Sequence, residues 1–246
     1  MRKLAIFVEG QTEQIFVENL LREIVEKNHI SIEVKKISGR KKHRVSNPIV
    51  KDQVTIETRF YVLIYDSSGD TQVVSDIRDQ CESLSSNGYE RIIGLRDVYC
   101  KSIADKTSLD EYIAYKLSLE RGLHYSLSTV IMTDPIPMNI VLAVMEIESW
   151  FLSEWNHFPK IDAKLTLDKI QTDLGFNPKT DNMETRLHPS SDIDKIYRLV
   201  GSSYDKNKDQ INSIVSKLDY EFLYLKLIHT VPSLGKFIGY INLFLN

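Results

Sequence analysis

Short, unbroken apolar runs alternate with segments of helical period through the first half of the chain, and this alternation most limits how it can fold. Residues 4–8 (LAIFV) form a compact apolar run that stops at Glu9-Gly10, as a fully buried strand does when it ends in a tight turn. Phe16, Val17, Leu20, Leu21, Ile24 and Val25 then recur at helical spacing, with Thr12 placed as the N-cap. Residues 31–37, 60–65 (FYVLIY) and 91–95 (RIIGL) read as three further strands, and residues 76–84 as a helix between the last two. Residues 127–132 and 140–145 (IVLAVM) are two more apolar runs of strand length. The order β, α, β, β, α, β predicts an α/β fold, a mostly parallel sheet flanked by helices.

From about residue 155 the pattern turns helical. LTLDKIQTDLG, DIDKIYRLVG and KDQINSIVSKLDYEFLYLKLIH have helical period, two of them end at a glycine suited to a C-cap, and NPKTDNMETRLHPSS between them reads as a loop. The predicted organisation is an α/β core over residues 1–155 and a helical C-terminal extension over residues 156–246 packed on it. A chain of 246 residues, 42% hydrophobic, can bury a substantial core. Its net charge of −3 gives no general attraction for nucleic acid, so any such contact needs a local patch. Cys81 and Cys100 have no CxxC spacing, which argues against a disulfide framework or thiolate zinc and fits a reducing compartment. No apolar run approaches the ~20 residues that cross a bilayer. The opening MRKLAIFVEG meets a glutamate after five apolar or small residues, too few for a signal peptide. The expectation is a soluble, cytoplasmic protein without a membrane partner.

Charge at the seams between strands and helices is costly unless partnered. Glu9 falls at the end of the first strand and Glu13 in the first helical turn, so both crowd the carboxyl edge of the sheet, where α/β folds bind ligands. The helix dipole offsets part of the cost of Glu13, and a hard divalent cation would serve both. The ordinary alternative is a solvated strand end beside a glutamate that complements the dipole. The strand RIIGL runs into Arg96-Asp97-Val98-Tyr99, which places Asp97 at a strand end much as Glu9 is placed. Glu146 and Glu148 stand two apart in IVLAVMEIESWFL, facing one side if extended and diverging on a helix. Glu9, Glu13, Asp97 and one of the later pair can converge on one edge and bind one or two metal ions.

FVEGQTEQIFVENLL resembles the opening motif of Toprim domains, the metal-binding, Rossmann-like fold of topoisomerases, primases and overcoming-lysogenization-defect nucleases. The ordered set VEGQTE, IIGLRDVYC and MEIESWFLSEW is similar to a family of bacterial Toprim-like proteins associated with phage defence, and RLHPSSDIDKIYRLV and SSYDKNKDQI to that family's helical tail. The resemblance implies that Glu9 is a metal ligand or general acid/base, that Glu13 is the second acidic position of nuclease-type members, and that Asp97 is the first aspartate of an Asp-x-Asp pair. Tyr99 stands where the second would be, and a phenol of pKa ~10 is a poor ligand for Mg²⁺. Glu148 or Glu146 is left to supply the missing carboxylate.

These readings predict a Mg²⁺- or Mn²⁺-dependent nuclease acting on DNA or RNA in antiphage defence. The alternative is a non-catalytic subunit of the same fold that docks on a partner such as an ATPase encoded in the same operon. Arg40, Lys41, Lys42 and Arg44 cluster in one loop and, with Lys101, are candidates for phosphate neutralisation; a solvated loop is the plainer reading. Arg121 and Lys206 are further cations of the same kind, His124 and His188 are candidate proton carriers, and Tyr204 is taken as packing. Trp150-Phe151 and the FLYLKLIH stretch, helically spaced among aliphatic neighbours, read as core rather than a base-stacking platform.

Overall fold

A computed structural model of the chain describes residues 1–39, 43–69, 72–98, 110–111, 114–115, 117–119, 121–122 and 136–246. Arg40, Lys41, Lys42, Tyr99, Cys100, Lys101, His124 and the run 127–132 lie outside the described residues. A six-stranded sheet of order β3-β2-β4-β1-β5-β6 forms the centre, with β1 at Arg2–Val8, β2 at Ile30–Ser38, β3 at Val45–Lys51, β4 at Phe60–Asp66, β5 at Arg91–Asp97 and β6 at Met138–Ala143. All pairings are parallel except β2 with β3. Leu4 to Val8 are wholly buried because β1 lies between β4 and β5 and is covered on both faces, the reason an unbroken apolar run marks it.

The sequence reading misses β3. It is an exposed, antiparallel edge strand that contains Pro48 and pairs with β2 across a register shift at Val34/Lys35. A strand with no buried face carries no apolar pattern, and proline is tolerated only at such an edge.

Two cores sandwich the sheet. On one face, Leu4, Ile6, Val8, Ile93 and Leu95 pack against helix α1 (Gln11–Ile24) and the C-terminal helices; on the other, Ala5, Phe7 and Ile92 pack against α2 (Gln72–Ser86). Helices therefore switch faces between β1 and β5, and the carboxyl ends of these neighbouring strands lie at the switch point where α/β sheets bind ligands. Gly94 lets α2 approach, since a Cβ there would sit 2.5 Å from Ile140 Cδ1 and 3.0 Å from Ile77 Cδ1.

Beyond β6 come α3 (Glu148–Ser153), α4 (Phe158–Ile161), α5 (Leu167–Leu174), α6 (Pro189–Arg198), α7 (Lys208–Val215), α8 (Tyr220–Leu225) and α9 (Pro232–Leu245). Gly175 ends α5 in the left-handed region, as its C-cap position predicts. The long segment from Lys208 does not form one helix: Asp219 accepts the Phe222 N–H at 2.9 Å and starts α8 afresh. Trp150 and Phe151 are wholly buried, as expected of core. Trp150 lies between Phe16 and Phe237, with ring centroids 5.7 and 5.9 Å away, and its indole donates to Ser233 Oγ at 2.7 Å. Among the described residues no helix is long and apolar enough to cross a membrane.

Candidate metal and phosphate site

The carboxylates at the switch point are held by backbone groups. Glu9, just past β1, accepts the Asp97 N–H of the neighbouring strand on Oε2 at 3.1 Å. Glu13 reaches back to the Gly10 N–H at 2.9 Å, so Gly10 caps α1 and Thr12 lies inside it; a glutamate at the third helical position closes the first turn in this way. Asp97 falls on the α1 face of β5, in step with Ile93 and Leu95, and its Oδ1 accepts the Ile147 N–H at 2.9 Å. Asp97 Oδ2 and Glu13 Oε1 have no hydrogen-bond donor among the described residues.

Glu146 and Glu148 lie neither along a strand nor both within a helix. β6 ends at Ala143, the chain turns through Met145 in the left-handed region (φ 64°), and Glu148 is the first residue of α3. The turn brings both carboxylates onto Lys206, whose Nζ donates to Glu146 Oε1 at 2.9 Å and Glu148 Oε2 at 3.1 Å. The remaining oxygens are also taken: Tyr204 donates to Glu148 Oε1 at 3.0 Å and the Ser190 N–H to Glu146 Oε2 at 2.9 Å. Tyr204 is thus more than packing. Lys206 itself has a left-handed backbone (φ 54°), an uncommon conformation for its type, and such positions cluster at functional sites.

Charge is unbalanced here. Burial, then the charge of Glu148, raises the Glu13 carboxyl to about 7 against the opposing pull of Lys206 and the Gly10 N–H. Burial and the neighbouring Glu13, Glu9 and Glu148 hold Asp97 well above the usual carboxylate range. Burial also raises Glu148, in spite of Lys206. Burial acts on Glu146 in the same sense, but Lys206 and Ser190 outweigh it and leave that group lower than usual. Burial disfavours the Lys206 ammonium, yet Glu148, Glu146 and Asp97 more than offset this and hold it above its ordinary value.

Five carboxylates thus share an edge with two cations, Lys206 and Arg96. The described residues nonetheless contain no group of three His, Cys, Asp or Glu already arranged to hold a metal ion. With Glu146 and Glu148 occupied, the hard oxygen donors that suit Mg²⁺ or Mn²⁺ are those of Glu9, Glu13 and Asp97.

Of the basic loop's predicted site residues, Arg44 is the one described, and its guanidinium is bonded within the fold. Arg44 forms a bidentate pair with the buried Asp76 of α2 at 2.7 and 2.8 Å and donates to the Ser67 carbonyl at 2.6 Å, so it ties the chain before β3 to the sheet. His188 lies exposed just ahead of α6. Sequence reasoning overlooks Arg96, although an arginine inside the buried run RIIGLRD is itself the signal. A cavity of about 720 Å³ lies elsewhere, lined by Trp155, Phe222, Lys179 and Lys226 among others and by none of the predicted site residues.

Among known proteins, a family model described as a domain of unknown function, DUF4276, matches residues 8–229. No curated protein and no solved structure matches.

Proposed function

The chain belongs to the DUF4276 family, a domain of unknown function, and we propose that it is a metal-dependent nuclease with a Toprim-like site at the carboxyl edge of its sheet. The observation that carries this reading is the excess of buried carboxylate at the switch point, where burial and the neighbouring carboxylates push Glu13 and Asp97 toward protonation in spite of Lys206. Glu9, Asp97 and Glu13 are the residues that would hold Mg²⁺ or Mn²⁺. Bound there, the ion supplies a Lewis acid for a phosphoryl oxygen and lowers the pKa of water. Glu13, raised to about 7 by burial and Glu148 in the metal-free protein, would ionise beside the ion, and as a carboxylate there it is the residue suited to take the proton of an attacking water. Lys206, clamped by Glu146 and Glu148, would hold the α3 side of the site in place rather than offer a free positive charge, since its ammonium is spent on those two carboxylates. The resemblance of the motifs supports DNA or RNA as substrate and a role in antiphage defence.

A second reading has its own observation. Because Lys206, Tyr204 and Ser190 occupy every oxygen of Glu146 and Glu148, and no ready metal cluster exists among the described residues, a non-catalytic subunit docking on an ATPase also fits. Glu9→Gln separates the two, since it removes charge at nearly constant shape. Wild-type protein is expected to cut single- or double-stranded DNA or RNA with Mg²⁺ or Mn²⁺, and the variant to lose on the order of 10²-fold or more in rate with an unchanged circular dichroism spectrum. A wild type that neither cuts nor binds either metal by calorimetry would transfer the site to the docking reading.

A further inference from the structure

Strand alternation divides the carboxyl edge into two sides. Asp97 lies on the α1 face, with the acidic cluster. Ser67, Glu9 and Arg96 continue the rows Leu63-Tyr65, Ala5-Phe7 and Ile92-Gly94, which belong to the α2 face, and they follow one another across the adjacent strand ends of β4, β1 and β5.

This second side holds buried polar groups that find no hydrogen-bond partner among the described residues. Arg96 is only 8% exposed, yet among the described residues its Nε–H has no hydrogen-bond partner and its one ionic neighbour, Glu9 Oε2, is 4.0 Å away. That same oxygen already accepts the Asp97 N–H. A guanidinium cannot shed its charge, and a buried cation without a hydrogen-bonded anion is strained electrostatically. The Ser67 hydroxyl is likewise buried and has no partner among the described residues. Helix α2 begins beside them, held close to β5 by Gly94, two residues before Arg96, where Val73 of its first turn would lie 3.2 Å from an added Cβ. Its N-terminus adds partial positive charge to the same side.

We propose that Arg96, with Ser67 and the first turn of α2, forms a phosphate-binding subsite facing the acidic cluster across Glu9. Resting on the nuclease reading for the identity of its ligand, the subsite receives a phosphate of the substrate backbone, and Arg96 is a positioning residue for the phosphodiester. The chemistry it recognises is a tetrahedral oxyanion, which accepts from the guanidinium fork and from a hydroxyl.

Inorganic phosphate, titrated by calorimetry into metal-free protein in EDTA, tests the subsite without any cleavage. Wild type is expected to bind it, Arg96→Gln to lose tenfold or more in affinity, and Arg96→Lys to retain part of it, since a point charge replaces the fork. Glu9→Gln should bind phosphate several-fold more tightly, because it removes the anion that competes for Arg96; a purely structural arginine predicts no such gain. Unaltered binding by Arg96→Gln, or no gain from Glu9→Gln, overturns the proposal, and the second comparison decides it alone if Arg96→Gln fails to fold. Phosphate binding that depends on Arg96 in a protein that cuts no nucleic acid upholds the subsite while removing the nuclease reading. Where cleavage is seen, Arg96→Lys should raise KM for a short oligonucleotide more than it lowers kcat.

Discussion

Replacing Glu13 by Gln should stabilise the metal-free protein, and only above mildly acidic pH. Glu13 is 5% exposed, and burial with the charge of Glu148 raises it from 4.5 to about 7. The folded value lies above the unfolded one, so the folded chain holds an extra proton between those pH values. The associated stability is fully present below about pH 4.5 and is lost as pH rises through 7. At ~1.4 kcal/mol per pH unit, the loss is roughly 3 kcal/mol. Glutamine carries no charge to desolvate, and its amide oxygen still accepts the Gly10 N–H, so the helix cap survives. Asp97, raised in part by Glu13, is relieved as well, and the two titrate as a coupled system with Glu148. Urea denaturation in EDTA, followed by the fluorescence of the two tryptophans, should show the variant within a few tenths of a kcal/mol of wild type near pH 4.5 and more stable by about 3 kcal/mol near pH 8. A variant that is less stable near pH 8, or displaced equally at both pH values, would refute the assignment of an uncompensated charge to Glu13.

Two further outcomes follow from the same imbalance. Lys206→Met leaves Glu146 and the wholly buried Glu148 without their ammonium; it should cost about 3 kcal/mol near pH 8, and less in acid, where Glu148 can take a proton, as urea melts at the two pH values would show. Divalent-metal binding should displace protons from Glu13 and Asp97, so calorimetry of Mn²⁺ binding near pH 6 in buffers of different ionisation enthalpy should report net proton release, the share from Glu13 falling off above about pH 7, whereas binding without release would place the ion elsewhere.

The legible parts of this fold are those whose burial is written in local pattern. β1, β4 and β5 are sandwiched parallel strands, so each appears as an apolar run, and the acidic residue that follows or ends each run marks a carboxyl edge without any tertiary knowledge. β3 has no buried face and stays silent. The start of α1 was open to misreading because Thr12 has the chemistry of a cap, while the group that closes the turn is Glu13, acting backward on Gly10.

The site divides along the same line. Glu9 and Asp97 are brought together because β1 pairs with β5, with Glu13 joining them from the first turn of α1, and Glu9 Oε2 spans that pairing to the Asp97 N–H; strand ends mark these residues in the sequence, but the chain order does not name the neighbours, since β4 lies between β1 and β2. The partnership of Glu146 and Glu148 with Lys206 has no local signature. It needs a left-handed methionine at 145, which no propensity suggests, and a lysine sixty residues beyond Glu146 presented by a left-handed backbone of its own. Two strained residues at the two ends of one ion-paired bridge require the surrounding structure to hold them. Tyr204, anchored by its own N–H to Asp194 and bonded through its hydroxyl to Glu148, is part of that support, as is the Ser190 N–H on Glu146. The helical layer therefore does more than cover the sheet: it delivers the ammonium that hydrogen-bonds two of the five carboxylates, and so leaves the other three, to which it donates no hydrogen bond, as the ones able to respond to a metal ion.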